Sequence, residues 1–577
     1  MMPYYPFARR AFGLGALLLM AGTAGAQALV FTGISPAANA VAAPRSGPLT
    51  VSFNQPLSPG SAAALQVFSS QRGGRRTGAT PATVSSNMLL FSPRPYDFRP
   101  GETVQYTVTT AATAGTALAR ARVAQLTTAV GGTGRGSFGV SNSVGVGPNP
   151  QGVAVGDLDG DGDLDLVTAN ADYFTVGPST VSVRLNNGAG SFSGTQNLPV
   201  GRGVNNVVLG DVDGDGDLDF VTANFYGATA SVRLNDGLGQ FSGTQEVPVG
   251  VSYNNFPGAA ALGDVDGDGD LDLLVVCGGN NGVVSIRLND GTGVFAGGTN
   301  VFVDLGSQGL ALGDLDNDGD LDLVTANNSA AGSVEVRLNA GNGLFAGTGR
   351  VAVGTRPYAV ALADIDGDGD LDLAAANSES PTASVRVNDG TGAFSGTQEV
   401  TVSPTSTNPG SYSLAFGDVD ADGDADLLVA DAQNASVSVR ANNGTGTFTG
   451  TLRVAVGTSP ASLALGDMDA DGDLDLVVAR YNNTAGVCLN GGTGPLAAGA
   501  GSPSPALGFF PNPAHGTAIL TGTAPGTRVT VLDALGRPVL TATADATGTA
   551  ALVLPASLAS GVYVVRAGTA SGRLLVE

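Results

Sequence analysis

Short stretches of alternating apolar and polar residues recur along this chain, and none keeps its pattern long enough for a helix. Ser231-Val-Arg-Leu234 alternates with the period of two that places every second side chain on one face of a strand. Asp219-Phe-Val-Thr222 is a compact apolar run of the kind a buried strand needs. Asn235-Asp-Gly237 then offers residues that tolerate positive φ, which signals a hairpin. The segment from Val207 to Gly250 shows the order whole: strand, acidic loop, two strands, hairpin, and a last strand through Phe241-Ser-Gly-Thr-Gln-Glu-Val-Pro-Val-Gly250. Four short strands in roughly 50 residues predict one small antiparallel sheet per unit.

The unit is copied. An acidic nonapeptide, Asp-x-Asp-x-Asp-Gly-Asp-x-Asp, opens at Asp157, Asp211, Asp264, Asp314, Asp364, Asp418 and Asp467, with offsets of 54, 53, 50, 50, 54 and 49 residues. Such spacing marks a supersecondary unit repeated in an array. The seventh unit reaches its third strand at Gly486-Val-Cys-Leu489 and then dissolves into Gly491–Gly501. Its missing fourth strand is matched by Ser137-Phe-Gly-Val-Ser-Asn-Ser-Val-Gly-Val-Gly147, which precedes the first unit. A ring zipped shut by that segment leaves no exposed sheet edge, a hazard for an open array. The expected fold is all-β: a seven-bladed β-propeller over residues 131–497, flanked by two small β-sandwich domains.

The first sandwich is expected over residues 27–130, where Leu49–Phe53, Leu65–Phe68, Met88–Phe91 and Thr103–Val108 read as strands. Ile34-Ser-Pro-Ala and Leu49-Thr-Val-Ser-Phe-Asn-Gln-Pro-Leu57 resemble the opening of bacterial Ig-like domains. Residues 498–506, rich in Ala, Gly, Ser and Pro, read as a linker. Beyond it stand Phe509-Phe-Pro-Asn-Pro-Ala514, Val529-Thr-Val-Leu-Asp-Ala-Leu-Gly-Arg-Pro-Val539 and Leu558-Ala-Ser-Gly-Val-Tyr-Val-Val-Arg566. This order over 507–577 resembles the C-terminal sorting domain of type IX secretion, although the chain ends on Glu577 where a basic residue is common. The resemblance implies the type IX machinery as a partner, and a protein secreted from, or held on the outer-membrane surface of, a Gram-negative, Bacteroidetes-like bacterium. Residues 1–26 fit a signal peptide: Arg9 and Arg10, an apolar run over 11–21, then Ala24-Gly-Ala26. No later apolar run reaches the roughly 20 residues that a spanning helix requires.

Charge sharpens the picture. The net charge is −24, and the seven loops of five carboxylates hold 35 of the 50 acidic residues. One divalent cation per loop would bring the sum to −24 + 14 = −10. Nucleic acid is an unsuitable partner, since phosphate binding needs clustered cations. The one basic cluster, Arg72–Arg76, is expected to be a solvated loop. Cys277 and Cys488 fall in non-adjacent units and different strands, so two buried free thiols are expected.

Five carboxylates within nine residues repel one another unless a cation sits among them. The candidate ligands are Asp157, Asp159, Asp161, Asp163 and Asp165; Asp211, Asp213, Asp215, Asp217 and Asp219; Asp264, Asp266, Asp268, Asp270 and Asp272; Asp314, Asp316, Asp318, Asp320 and Asp322. They continue with Asp364, Asp366, Asp368, Asp370 and Asp372; Asp418, Asp420, Asp422, Asp424 and Asp426; Asp467, Asp469, Asp471, Asp473 and Asp475. A hard cation is implied, and Ca²⁺ is the expected cofactor, about seven ions in a structural role. The first half of each loop is like an EF-hand, but position 12 is Thr168 rather than Glu and the flanks are strands. The spacing instead resembles the calcium hairpins of FG-GAP/VCBS repeats, as in integrin α subunits. That resemblance implies metals between the first and second strands, on one face, held by positions 1, 3, 5 and 9, with position 7 turned outward.

The other face gathers Tyr173, Tyr226, Tyr253, Tyr358, Tyr412 and Tyr481 by register. Six residues before each first Asp, at the axial end of the inner strand, stand Gln151, Asn205, Gly258, Gln308, Tyr358, Tyr412 and Ala461. Such a composition suits a recognition surface. Arg184, Arg233, Arg287, Arg337, Arg386 and Arg440 alternate with apolar residues and are expected to face solvent. The sole histidine, His515, lies outside the repeats, and no Gly-x-Ser-x-Gly elbow or phosphate loop occurs. The expectation is a secreted or surface adhesion and binding scaffold for an extracellular protein or glycan, leaning away from an enzyme. A carbohydrate-binding or carbohydrate-active propeller is the alternative.

Overall fold

The structure, a computed structural model, describes residues 27–132, 134–171, 177–250, 256–279, 282–403, 409–491, 508–521, 525–532, 538–546, 548–555, 558, 561–567 and 570–576. The expected signal segment, the linker and Tyr173 and Tyr253 lie outside these residues. The chain divides into two compact units, 1–494 and 495–577.

Within the first unit, the described repeats form seven four-stranded antiparallel sheets in sequence order. The first consists of Pro150–Gly156, Asp165–Asn170, Ser179–Asn186 and Phe192–Val200; the second of Val204–Gly210, Asp219–Asn224, Thr229–Asn235 and Phe241–Pro248. In the third, the outer strand is broken into Phe295–Ala296 and Asn300–Phe302. The second strand of every sheet is buried along its whole length, because neighbouring sheets cover both of its faces. Each first strand packs against the next, and Pro460–Gly466 packs against Pro150–Gly156, so the sheets form a closed circle, a β-propeller. Pro460–Gly466, Asp475–Arg480 and Thr484–Cys488 make most of the seventh sheet, and Asn142–Gly145 completes it, pairing with Thr484–Val487.

Apolar packing lies between sheets. Val221, Ala223 and Val232 of the second sheet meet Leu273, Val275 and Val283 of the third. Leu164 and Leu166 meet Val477, Ala479 and Val487 across the closure. A fully buried leucine contributes about 1.5–3 kcal/mol relative to exposure. The inner strands crowd the axis: a Cβ on Gly309 would stand 2.8 Å from the Ala359 Cα. Glycine is therefore needed at that point.

Two polar belts join neighbouring sheets. An asparagine at the end of each third strand donates from Nδ2 to a carbonyl in the acidic loop of the preceding sheet. The pairs include Asn235 to Leu158 (2.8 Å), Asn442 to Ile365 (2.8 Å) and, across the closure, Asn186 to Met468 (2.8 Å). The second belt corrects the expectation of solvent-facing arginines. Arg184, Arg233, Arg337, Arg386 and Arg440 are buried and donate to carbonyls of the preceding sheet's outer strand, as from Arg386 Nε to Ala352 (2.9 Å) and Arg440 Nε to Thr401 (2.9 Å). Arg184 Nε reaches Gly145 of the closing strand (2.8 Å). Both faces of a sheet in a ring are packed, so alternation does not send one face to water.

The N-terminal domain pairs Phe31–Ser35, Leu49–Phe53, Met88–Phe91 and Thr83–Ser85 in one sheet and Leu65–Ser69, Thr103–Val108 and Arg122–Thr127 in another. The sheets share one core that includes Phe53, Val67, Phe91 and Tyr106. In the second unit, seven strands from Gly508–His515 to Ala570–Val576 form one hydrogen-bonded path around Leu520, Val529, Leu552 and Val565. No helix among the described residues is long and apolar enough to cross a membrane.

Candidate functional site

Each acidic loop runs from the end of a first strand to the start of the second, which places all seven at one face of the ring. The reversal occurs at the glycine in position 6, whose φ lies between 88° and 100° in all seven copies (Gly162, Gly216, Gly269, Gly319, Gly369, Gly423, Gly472). Backbone N–H groups fix the carboxylates. Asp211 accepts from Gly214 (2.7 Å) and Gly216 (2.9 Å), and Asp161 accepts from the Asp163 N–H (2.9 Å). At position 9, Asp165 accepts from Leu158 (2.9 Å) and Asn186 (2.8 Å) with its two oxygens. The same pair of bonds recurs at Asp219, Asp272, Asp322, Asp372, Asp426 and Asp475.

Positions 1, 3 and 9 come together. One oxygen each of Asp157, Asp159 and Asp165 lie within 4.8 Å of one another, as do those of Asp211, Asp213 and Asp219, of Asp264, Asp266 and Asp272, of Asp314, Asp316 and Asp322, and of Asp364, Asp366 and Asp372, with two further groups among the described residues. Positions 5 and 7 are not in these five triads. Position 7 faces the glycine of its own sheet's outer hairpin, Asp163 beside Gly188 and Asp217 beside Gly237. Burial pushes the carboxyls of Asp165, Asp219, Asp272, Asp322 and Asp475 up to about 8, because the charged form loses its water. Buried oxygens of Asp157, Asp314, Asp366, Asp420, Asp467 and Asp469 have no hydrogen-bond partner. Clustered anionic oxygens, buried and partly unpartnered, fit a hard divalent cation; a set without histidine or cysteine does not select a softer metal.

The N-terminal domain lies on this acidic face, and together with the segment that follows it touches every loop. Arg72 pairs with Asp157 (3.2 Å), the Arg75 N–H donates to Asp211 (2.8 Å), Thr107 donates to Asp264 (2.7 Å) and Arg120 pairs with Asp318 (3.1 Å). Asn39 donates to the Gly369 carbonyl (3.1 Å), while the following segment supplies Gly136 to Val419 (2.8 Å) and Gly131 to Gly472 (3.0 Å). Arg72–Arg76 is thus not a solvated loop: Arg76 is buried, and Arg72 and Arg75 answer the acids beside them. Gln71 donates to Leu465 at the axial end of this face (3.1 Å), and the amides of Gln105 and Gln125 stand beside Gly263 and Gly313. Sequence reasoning missed this docking because its only signal was a few arginines in another domain.

The opposite face holds a cavity of about 520 Å³. Its wall includes all seven axial residues, Gln151, Asn205, Gly258, Gln308, Tyr358, Tyr412 and Ala461. Of the six expected tyrosines, Tyr226, Tyr358, Tyr412 and Tyr481 line it. Tyr358 and Tyr412 meet edge to face at 5.0 Å, and Tyr481 donates to Gln151 Oε1 (3.0 Å). Phe225 meets Tyr226 edge to face at 5.1 Å and stacks on Phe256 at 4.6 Å. Burial raises the Tyr358 hydroxyl and pushes that of Tyr481 up to about 12, so both remain protonated donors.

Comparison with known proteins agrees with this architecture. The FG-GAP-like repeat matches residues 170–222, 211–275, 264–325, 314–375, 364–429 and 418–478. A bacterial Ig-like domain matches 26–128 and a secretion system C-terminal sorting domain matches 508–576. The chain belongs to the FG-GAP-like repeat family, as a β-propeller with an N-terminal Ig-like domain and a C-terminal type IX sorting domain. That sorting domain marks it as a secreted or cell-surface protein of a Bacteroidetes-like bacterium that engages the type IX machinery. No curated protein matches the chain. Similar solved structures include a virginiamycin B lyase from Staphylococcus aureus, 12% identical over 61% of this chain and 99% of that one, with a TM-score of 0.40. The periplasmic gluconolactonase of Pseudomonas aeruginosa is 16% identical over 57% and 88%, at 0.41. An Agrocybe aegerita lectin that recognises non-reducing terminal N-acetylglucosamine is 20% identical over 58% and 86%, at 0.39.

Proposed function

We propose that this protein is an extracellular binding scaffold. Calcium braces the ring at its acidic hairpins, and the opposite face takes up an extracellular protein or glycan. The observation that carries the reading is the cavity whose wall draws an equivalent inner-strand residue from every sheet. A ring built to be solid would fill that position with aliphatic side chains; here five of the seven are Gln, Asn or Tyr. Such groups combine contact area with hydrogen bonding, as recognition surfaces require.

The carboxylates of Asp157, Asp159 and Asp165, and their equivalents, would hold each ion, with the carboxylate at position 5 and the backbone carbonyl at position 7 as further oxygen donors. Bound calcium supplies positive charge and accepts six to eight oxygen ligands. The chain's own part is to aim those oxygens inward through backbone N–H bonds and to tie each loop to the next sheet through its asparagine. Binding rather than turnover is the reading, since the described residues of the cavity wall offer phenol and amide groups and no carboxylate.

The test is a binding panel. The purified calcium-loaded chain and its Tyr412→Ala variant are passed over immobilised extracellular proteins and glycans, with melting followed in parallel. Retention that the variant loses at unchanged melting temperature supports the reading. Retention that the variant keeps would move the binding site elsewhere on the molecule.

A further inference from the structure

Resting on that reading of the tyrosine face, we propose that the cavity receives an uncharged saccharide, one or two sugar rings seated between two aromatic walls. Charge decides first. Among the described residues, none that lines the wall is Asp, Glu, Lys, Arg or His. A charged ligand group buried there would find no counter-charge among those lining residues, with the Arg202 guanidinium engaged over the Tyr226 ring (5.3 Å), and an unpaired buried charge is strongly disfavoured. Acidic sugars, sulfated chains and the charged side chains of peptides are selected against.

Geometry decides second. One aromatic wall comes from the second sheet, where Phe225 and Tyr226 line the cavity. The other is Tyr358 and Tyr412, from the fifth and sixth sheets, with Tyr481 of the seventh beside them. In a circle of seven, the point opposite the second sheet falls between the fifth and sixth. The walls therefore face each other across the axis. The amides of Gln151 and Gln308 stand on sheets between them, and Asn205, on the second sheet itself, meets the Tyr358 hydroxyl across the axis; each amide is able to donate and accept. Gln151 and Asn205 are held by bonds of their own, from Tyr481 (3.0 Å) and to the Gly258 carbonyl (3.1 Å). The Gln308 amide and the Tyr412 hydroxyl make no hydrogen bond among the described residues, so both are available to a ligand.

This alternation is the complement of a pyranose, which has apolar C–H faces and a rim of hydroxyls that donate and accept. The volume, about 520 Å³, lies within the roughly 300–1,000 Å³ of small-molecule sites and is too small for a folded segment. A peptide loop fits less well, since its backbone amides run along its length instead of around an edge.

The experiment uses the full calcium-loaded chain on an array of neutral, sialylated and sulfated glycans, with a displayed peptide library in parallel. Hits are followed by calorimetry using the free methyl glycoside of the retained sugar. The expected result is selective retention of neutral glycans, competed by the methyl glycoside. Affinity should fall about tenfold in Tyr358→Ala, as expected when one aromatic wall is lost. Gln308→Ala, whose amide supports no other residue, should weaken binding several-fold at unchanged melting temperature. Retention of sialylated or sulfated glycans alone would overturn the proposal. Peptide binding that both variants weaken would overturn the saccharide while keeping the site, and binding of any kind that neither variant weakens would overturn the site as well. No retention on either array would overturn both.

Discussion

Position 4 of the acidic loops sits in left-handed backbone, and its occupant varies. Gly160, Gly214, Gly267 and Gly367 have φ of 72–79°, while Asn317, Ala421 and Ala470 hold φ of 60–61° with a side chain attached. Left-handed backbone costs an L-residue roughly 1–2 kcal/mol, part of which glycine returns through its freer unfolded state. Ala421→Gly and Ala470→Gly should each stabilise the metal-loaded protein by about 0.5–1 kcal/mol, read as a rise in urea midpoint at constant slope. A fall would mean that the alanine methyl makes a packing contribution larger than the strain. The acid triads were legible at this scale because every copy repeats the same spacing. The buried arginines were not. Arg233 alternates with Val232 and Leu234, which reads as a wet face, and only the neighbouring sheet reveals that Pro199 receives its guanidinium.

Between sheets, the asparagine belt does what a hairpin residue in isolation would not. Asn442 looks like the start of an Asn-Asn-Gly turn, yet its Nδ2 is spent on Ile365 of the preceding sheet and its N–H on Asp426. Removing the side chain leaves a buried carbonyl unpaired, which costs about 1–3 kcal/mol. Asn442→Ala should lower stability by that amount, whereas Ala at exposed Thr451 in the same repeat should change it by about 0.5 kcal/mol or less. Equal effects would show that the belt is not a joint. The closing strand was legible for a different reason: an incomplete seventh unit and an orphan strand ahead of the first can satisfy each other only in a circle. Its register, Thr484 opposite Gly145, could not be read in advance, because Ser137–Gly147 is short and glycine-rich.

For the ring as a whole, its two ends carry opposed chemistry, anionic under the Ig-like domain and, among the described lining residues, uncharged at the aromatic cavity. Calcium at ten times its dissociation constant stabilises by about 1.4 kcal/mol per site. Several such sites, tied in a circle, should make melting rise steeply with calcium and fall on chelation. Scanning calorimetry across a calcium series checks this, and a melting temperature indifferent to EGTA would refute it. The element types and their order were legible, since strand periodicity and turn residues are local signals. The docking of the Ig-like domain was not, because it depends on surfaces 85 (157 − 72) to 394 residues apart in sequence.

Gln71, Gln105 and Gln125 of the Ig-like domain reach the ends of the inner strands on the acidic side of the ring. A ligand taken up at the aromatic mouth, as proposed, would meet the Ig-like domain at the far side of the ring. Under the proposed reading a polymer would be held by its tip, so this protein would count chain ends, and cutting one long strand into many short ones would multiply its targets without changing their composition.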